Sequence, residues 1–201
     1  MKNLFTNRSP KKENKKVVIV SGLPRSGTSM MMKMLTEGGL SAVVDSLRQA
    51  DEDNPNGYFE IESSKALKDG DKKWLYDAQG KVVKVISYLL EFLPDDLTYD
   101  VIFMEREISE VLASQHKMLQ RRNETSALSD AEMEAQFRDH LRAVKYWSAR
   151  KANMRILYVK YSQMVESPET LCKSIVDFLE VPLDLKAMQA VPSQSLYRNR
   201  S

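Results

Sequence analysis

The chain has 201 residues, enough for one domain with a sizeable core, and its 30 Lys and Arg nearly balance 28 Asp and Glu. That balance gives no argument for nucleic acid as a partner, and none is expected. A single cysteine, Cys172, excludes an internal disulfide and reads as a small core residue, and His116 and His140 lack partners at metal-ligand spacing.

Residues 1–16 are polar, with Lys11, Lys12, Lys15 and Lys16, and read as a flexible lead. They carry no apolar core of a secretory leader. No later stretch reaches the ~18 apolar residues that span a bilayer. The setting expected is cytoplasmic and reducing.

Residues 17–20, all β-branched, predict a buried strand. A glycine-bearing turn follows at 22–29, then a helix from Ser29 to Glu37 that stops at Gly38-Gly39. Within it Met30, Met31, Met34 and Leu35 share one face, which predicts packing against a sheet. Residues 40–44 suit a short strand or an extended connection. The run 51–57, DEDNPNG, is loop by composition.

A helix is expected over 63–75 and a strand over 81–86. Residues 99–105, YDVIFME, are the clearest later strand, followed by a helix over 108–121. Ser129 and Glu132 form a capping box that opens a long helix to about Lys151. A strand over 155–159 precedes a helix that starts at Ser167-Pro168-Glu169, runs to Leu179 and is ended by Val181-Pro182. Residues 191–201 form a polar tail.

Strands alternate with helices, and the chain shows no repeats. This predicts an α/β fold, a three-layer α/β/α domain over 17–190 with a central parallel sheet, like that of P-loop nucleotide kinases.

The turn after the first strand carries the chemistry. Strand, glycine turn and helix start together make an anion site, because the first amides of a helix lack partners and its dipole favours negative charge. Gly22-x-x-x-x-Gly27-Thr28-Ser29 has the glycine spacing of a Walker A loop, but Thr28 stands in place of the lysine. The nearest cation is Arg25. Glu105 and Asp45 are candidate Walker B carboxylates for an alternative reading, a P-loop NTPase or small-molecule kinase using Mg-ATP. A non-catalytic nucleotide-binding protein is the third reading.

Pro24-Arg25-Ser26-Gly27-Thr28-Ser29 resembles the phosphosulfate loop of sulfotransferases that use 3′-phosphoadenosine 5′-phosphosulfate (PAPS). Arg106, just after the 99–105 strand, and Ser114, eight positions on, resemble that family's 3′-phosphate anchor. The resemblance implies that Pro24, Arg25, Ser26, Gly27, Thr28 and Ser29 cradle the donor, with Arg25 at the bridging oxygen. It implies PAPS as donor, 3′,5′-adenosine bisphosphate as product, and no metal.

The small-molecule branch of that family takes its base from a histidine in a K-T-H-like strand end. Here the matching place is Lys84-Val85-Ile86, which keeps the lysine and lacks the histidine. The segment Asn54-Pro55-Asn56-Gly57-Tyr58-Phe59-Glu60 resembles instead one found in bacterial sulfotransferase-like proteins. It implies Glu60 as base, with Glu62 second, and Lys84 steadying the sulfuryl oxygens. The family's R-K-G loop is absent; Arg198 in the tail is the candidate nucleotide contact at that end. Tyr161-Ser162-Gln163-Met164 resembles a Y-E-x-L segment taken as structural.

The implied reaction is in-line sulfuryl transfer to a hydroxyl or amine of a small-molecule or glycan acceptor. Segments 51–76 and 120–150 are the candidates to shape its pocket. Trp74, Tyr76, Tyr146 and Trp147 could line it, although aromatics at such spacings more often pack in a core.

Overall fold

The computed structural model describes residues 16–44, 59 and 61–192. Among the described residues four strands form one sheet in the order β2-β1-β3-β4: β1 (Val17–Gly22), β2 (Val82–Lys84), β3 (Tyr99–Glu105) and β4 (Met154–Lys160). Every pairing is parallel; Val20 stands opposite Lys84 on one side and Ile102 on the other.

Parity along β1 explains the three layers. Val18 and Val20 enter one core, and Val17 and Ile19 enter the other. A strand buried on both faces has no polar side to show, which is why residues 17–20 read as a continuous apolar run. On the first face lie α1 (Thr28–Glu37), α6 (Tyr161–Glu166), α7 (Pro168–Leu179) and α8 (Leu185–Gln189). Met30, Met31, Met34 and Leu35 of α1 are all buried there, as the helical spacing predicted. On the second face lie α3 (Trp74–Asp77), a 3-10 helix (Ser87–Phe92) and α5 (Asp130–Ser148). A smaller cluster of Ile108, Leu112 and Met133 joins α4 (Ile108–Arg121) to α5. Each such side chain fully withdrawn from water contributes ~1.5–3 kcal/mol.

The helix expected over 63–75 is instead two short pieces, α2 (Glu62–Lys65) and α3, separated by turns. Gly70 lies within those turns. Its amide turns back on Ala66 O, and a Cβ there would lie 2.6 Å from that oxygen. Three elements were not anticipated: the 3-10 helix, α6 and α8. The strand expected over 81–86 is shorter, because the backbone leaves the sheet after Val85 N–H donates to Val20 O. Lys16, read as the end of a flexible lead, instead pairs with Asp100 at 3.1 Å.

At the edge of the sheet where the strands begin, Asp100 is buried. Its carboxylate accepts from Arg155 Nε at 2.7 Å and Nη2 at 2.8 Å. Arg155 also donates to Phe178 O and pairs with Glu180, so this cluster joins β3, β4 and the end of α7. The opposite edge positions the site. The chain leaves β1 for β2 on one side and returns to β3 on the other, so the strand order reverses between β1 and β3. A crevice beyond the strand ends at such a reversal is where open parallel sheets bind ligands.

Candidate functional site

The turn after β1 and the residues after β3 flank this reversal. Gly22 has φ 149°, and a Cβ on it would lie 2.7 Å from Met104 O, so only glycine lets β1 end this close to β3. Arg25 holds a left-handed backbone at φ 69°. Gly27, at φ 100°, caps α1 without a side-chain hydrogen bond, and the first turn of α1 carries no acidic residue. The helix start therefore keeps its positive end toward the loop. The Ser26 hydroxyl is buried with no hydrogen-bond partner, as is that of Ser21 at the end of β1. Buried hydroxyls left unpaired cost free energy, and here they mark where a polar ligand or water belongs.

The structure joins the predicted residues more closely than their sequence spacing suggested. Arg25 Nε donates to Ser114 Oγ at 3.0 Å, and Arg106 Nη1 donates to Arg25 O at 3.1 Å. Lys84, buried at the end of β2, donates to Ser29 Oγ at 3.2 Å. Arg25, Arg106 and Ser114 are thus joined directly, and Ser29 and Lys84 pair at the same turn, so the five make one constellation around it. Pro24, Thr28 and Gly27 lie on the same turn. Glu62 opens α2 and pairs with Lys65. Glu60, Asp45, Arg198 and residues 51–57 lie outside the described residues.

Two further residues belong to the constellation. Glu110 Oε2 accepts from Arg106 Nε at 2.8 Å, and both side chains are almost wholly buried. Tyr161, the first residue of α6 just past β4, stacks on the Arg106 guanidinium, 4.3 Å from ring centroid to Cζ, and packs against Gly27. Burial pushes the Tyr161 hydroxyl above its ordinary value; Arg106 opposes that rise and Glu110 adds to it. The four-residue step from Arg106 to Glu110 was readable as an ion pair between the residue after the strand and the first turn of the following helix. No local signal could place Tyr161 on the loop.

Glu105, the Walker B candidate, pairs with Lys145 at 2.7 Å. Among the described residues no cluster of three or more His, Cys, Asp or Glu could hold a metal ion. His116 pairs with Asp130. His140 contacts Ser87 Oγ at 2.9 Å and stacks on Tyr88. Trp74 and Trp147 pack on the second core, while Tyr76 and Tyr146 are exposed. Among the described residues no helix is long and apolar enough to cross a membrane.

Residues 60–185 match the model of the sulfotransferase family. The chain belongs to the sulfotransferase family. That match begins beyond the 22–29 turn, so the anion loop stands as an independent observation. No curated protein matches the sequence. Among solved structures the chain is similar to sulfotransferase STF9 from Mycobacterium avium, at 13% identity and a TM-score of 0.57, over 94% of this chain and 69% of that one. It is similar to sulfotransferase STF1 from Mycobacterium tuberculosis H37Rv, at 15% identity and a TM-score of 0.55, over 90% and 71%. It is also similar to mouse sulfotransferase SULT7A1 complexed with PAP, at 17% identity and a TM-score of 0.52, over 94% and 67%. At these identities the likeness concerns the fold, a parallel sheet flanked by helices. Sulfotransferases move a sulfuryl group from a donor to an acceptor.

Proposed function

We propose that this sulfotransferase takes its sulfuryl group from PAPS and passes it to a hydroxyl or amine of a small-molecule or glycan acceptor in the cytoplasm. The activity is carried by one domain over residues 17–190. The observation that supports the reading most is the loop at the strand reversal, whose buried Ser26 hydroxyl lacks a partner, and where Thr28 stands at the Walker lysine's position and Arg25, three residues earlier, supplies the cation. Without that lysine the loop lacks the cation that reaches the outer phosphates of ATP, which disfavours a Mg-ATP enzyme.

In this reading the amides of Ser26, Gly27, Thr28 and Ser29, beside Pro24, hold the 5′-phosphate at the start of α1. Arg25 places its charge where the bridging oxygen gains electrons. Arg106 and Ser114 take the 3′-phosphate. Ser114 accepts from Arg25 and so keeps its own O–H as a donor. Arg198 adds a contact from the tail. Lys84, beside Ser29, steadies the sulfuryl oxygens. Glu60 accepts the acceptor's proton as the new oxygen–sulfur or nitrogen–sulfur bond forms and the bridging sulfur–oxygen bond breaks; Glu62 is the second candidate. The donor supplies the sulfuryl group and leaves as 3′,5′-adenosine bisphosphate.

Thermal shift tests the reading. A ligand that binds only the folded state at ~100 times its Kd stabilises by about 2.7 kcal/mol. For a chain of this size that raises Tm by roughly 5–10 °C. The bisphosphate should produce such a shift and Mg-ATP should not; the reverse pattern makes the protein an NTPase. Arg25→Ala and Arg106→Ala should each remove the shift, and its survival in both sinks the site. Glu60→Gln should keep nucleotide binding and lose transfer; full turnover in that variant moves the base elsewhere.

A further inference from the structure

We infer that Arg106, clasped by Glu110 and Tyr161, is a strut that holds the anion loop in its ligand-ready shape. Glu110 and Tyr161 are then positioning residues for the phosphosulfate end of the site. The inference rests on the nucleotide reading above and assigns Arg106 a second task beyond its 3′-phosphate contact.

Arg25 is the place where the loop needs holding. Its left-handed backbone, at φ 69°, is one that residues with a Cβ seldom adopt unless surroundings enforce it. One contact on that backbone is Arg106 Nη1 on the Arg25 carbonyl, at 3.1 Å. Arg106 in turn has little freedom. Glu110, one helical turn on, accepts from its Nε at 2.8 Å, and the two side chains are 8% and 3% exposed. The Tyr161 ring covers the guanidinium face. The same ring fills the space beside Gly27, where a Cβ would come 2.9 Å from Cε2. One stack of three side chains, Arg106 just before α4, Glu110 in its first turn and Tyr161 at the start of α6, therefore grips the loop at Arg25 and at Gly27.

This assignment differs in sign from the simpler one, in which Glu110 merely neutralises Arg106. If Glu110 only offsets charge, Glu110→Gln leaves a more positive site and tightens anion binding. If Glu110 aims the strut, the same change loosens the loop and weakens binding.

The first arm of the test needs no ligand. In hydrogen–deuterium exchange on the full chain, Glu110→Gln should make the amides of residues 22–29 exchange about tenfold faster, with the sheet unchanged. Tyr161→Leu should do the same and Tyr161→Phe, which keeps the ring, should not. The second arm compares 3′,5′-adenosine bisphosphate with adenosine 5′-monophosphate by calorimetry. Glu110→Gln should weaken both by a similar factor, about tenfold, because a less preorganised loop penalises every ligand of the 5′ end. Unchanged loop exchange in both Glu110→Gln and Tyr161→Leu overturns the strut, as does tighter binding or a loss confined to the bisphosphate. Failure of the wild type to bind either nucleotide overturns the proposed function instead, and the exchange arm then decides the strut alone.

Discussion

Gly27 and Gly39 offer a matched pair of alanine substitutions. Both have left-handed backbones, at φ 100° and φ 102°. Gly39 ends α1 in a Schellman turn: Gly39 N–H donates to Thr36 O and Leu40 N–H to Leu35 O, and nothing lies within 4 Å of a Cβ placed there. Gly39→Ala therefore meets only the backbone penalty, ~1–2 kcal/mol, partly offset by a less flexible unfolded chain, for a net of about 1 kcal/mol. Gly27→Ala meets the same penalty and drives a methyl into the Tyr161 ring, 2.9 Å from Cε2. Overpacking of that kind adds about 1–3 kcal/mol. At roughly 2–4 °C per kcal/mol for this length, Gly39→Ala should lower Tm by about 2–4 °C and Gly27→Ala by about 4–16 °C. Circular dichroism melts and urea titrations on the two variants measure the difference. Equal melting temperatures would falsify the packing of Tyr161 on the loop. A Gly27→Ala, Tyr161→Ala double variant should recover part of the Gly27 deficit, since the ring that collides is gone.

Burial pushes the Cys172 thiol up to about 11, and the side chain is inaccessible. It should resist alkylation at pH 8 in the native protein and react fully in denaturant; rapid native labelling would show that α7 does not keep it packed in the core. His140 is held below its ordinary value by burial. The unfolded state then binds more protons, so His140 contributes stability that is complete above the unfolded pKa, about 6.5, and is lost as pH falls through the lower folded value. Urea midpoints should drop more steeply below pH 6.5 in the wild type than in His140→Asn, and parallel curves would remove His140 from the acid response.

How much of this was legible in the sequence depended on the range of the interaction. Residues 99–105 and 108–121 were read at the bounds the structure has, because a doubly buried strand and an amphipathic helix each declare themselves within a few residues. The Ser129–Glu132 capping box is local too, and it formed. The 63–75 segment was expected as one helix and is two short pieces, because α2 ends at Lys65 and the chain passes through turns that hold Gly70, where a Cβ would meet Ala66 O. The 3-10 helix carries Ser-Tyr-Leu-Leu-Glu-Phe, too short and too apolar to show a period. At the site, the residue types at 25, 84, 106 and 114 could be picked out, but not their mutual contacts. Arg106 meets the Arg25 carbonyl across 81 positions, and Lys84 meets Ser29 across 55. Only the strand order brings those pairs together.

All six residues of β1 are buried, and alternate members serve opposite cores. No side chain in the central strand can be exchanged for a reactive one without damage to one core or the other. Novelty in this architecture is therefore confined to the crossovers that begin after positions 22, 84, 105 and 160, where the strands give out. The scaffold and the chemistry can drift at separate rates: the strands under a demand for volume, the crossovers under a demand for whichever acceptor is present. A family built this way can keep its shape long after its sequences have ceased to resemble one another.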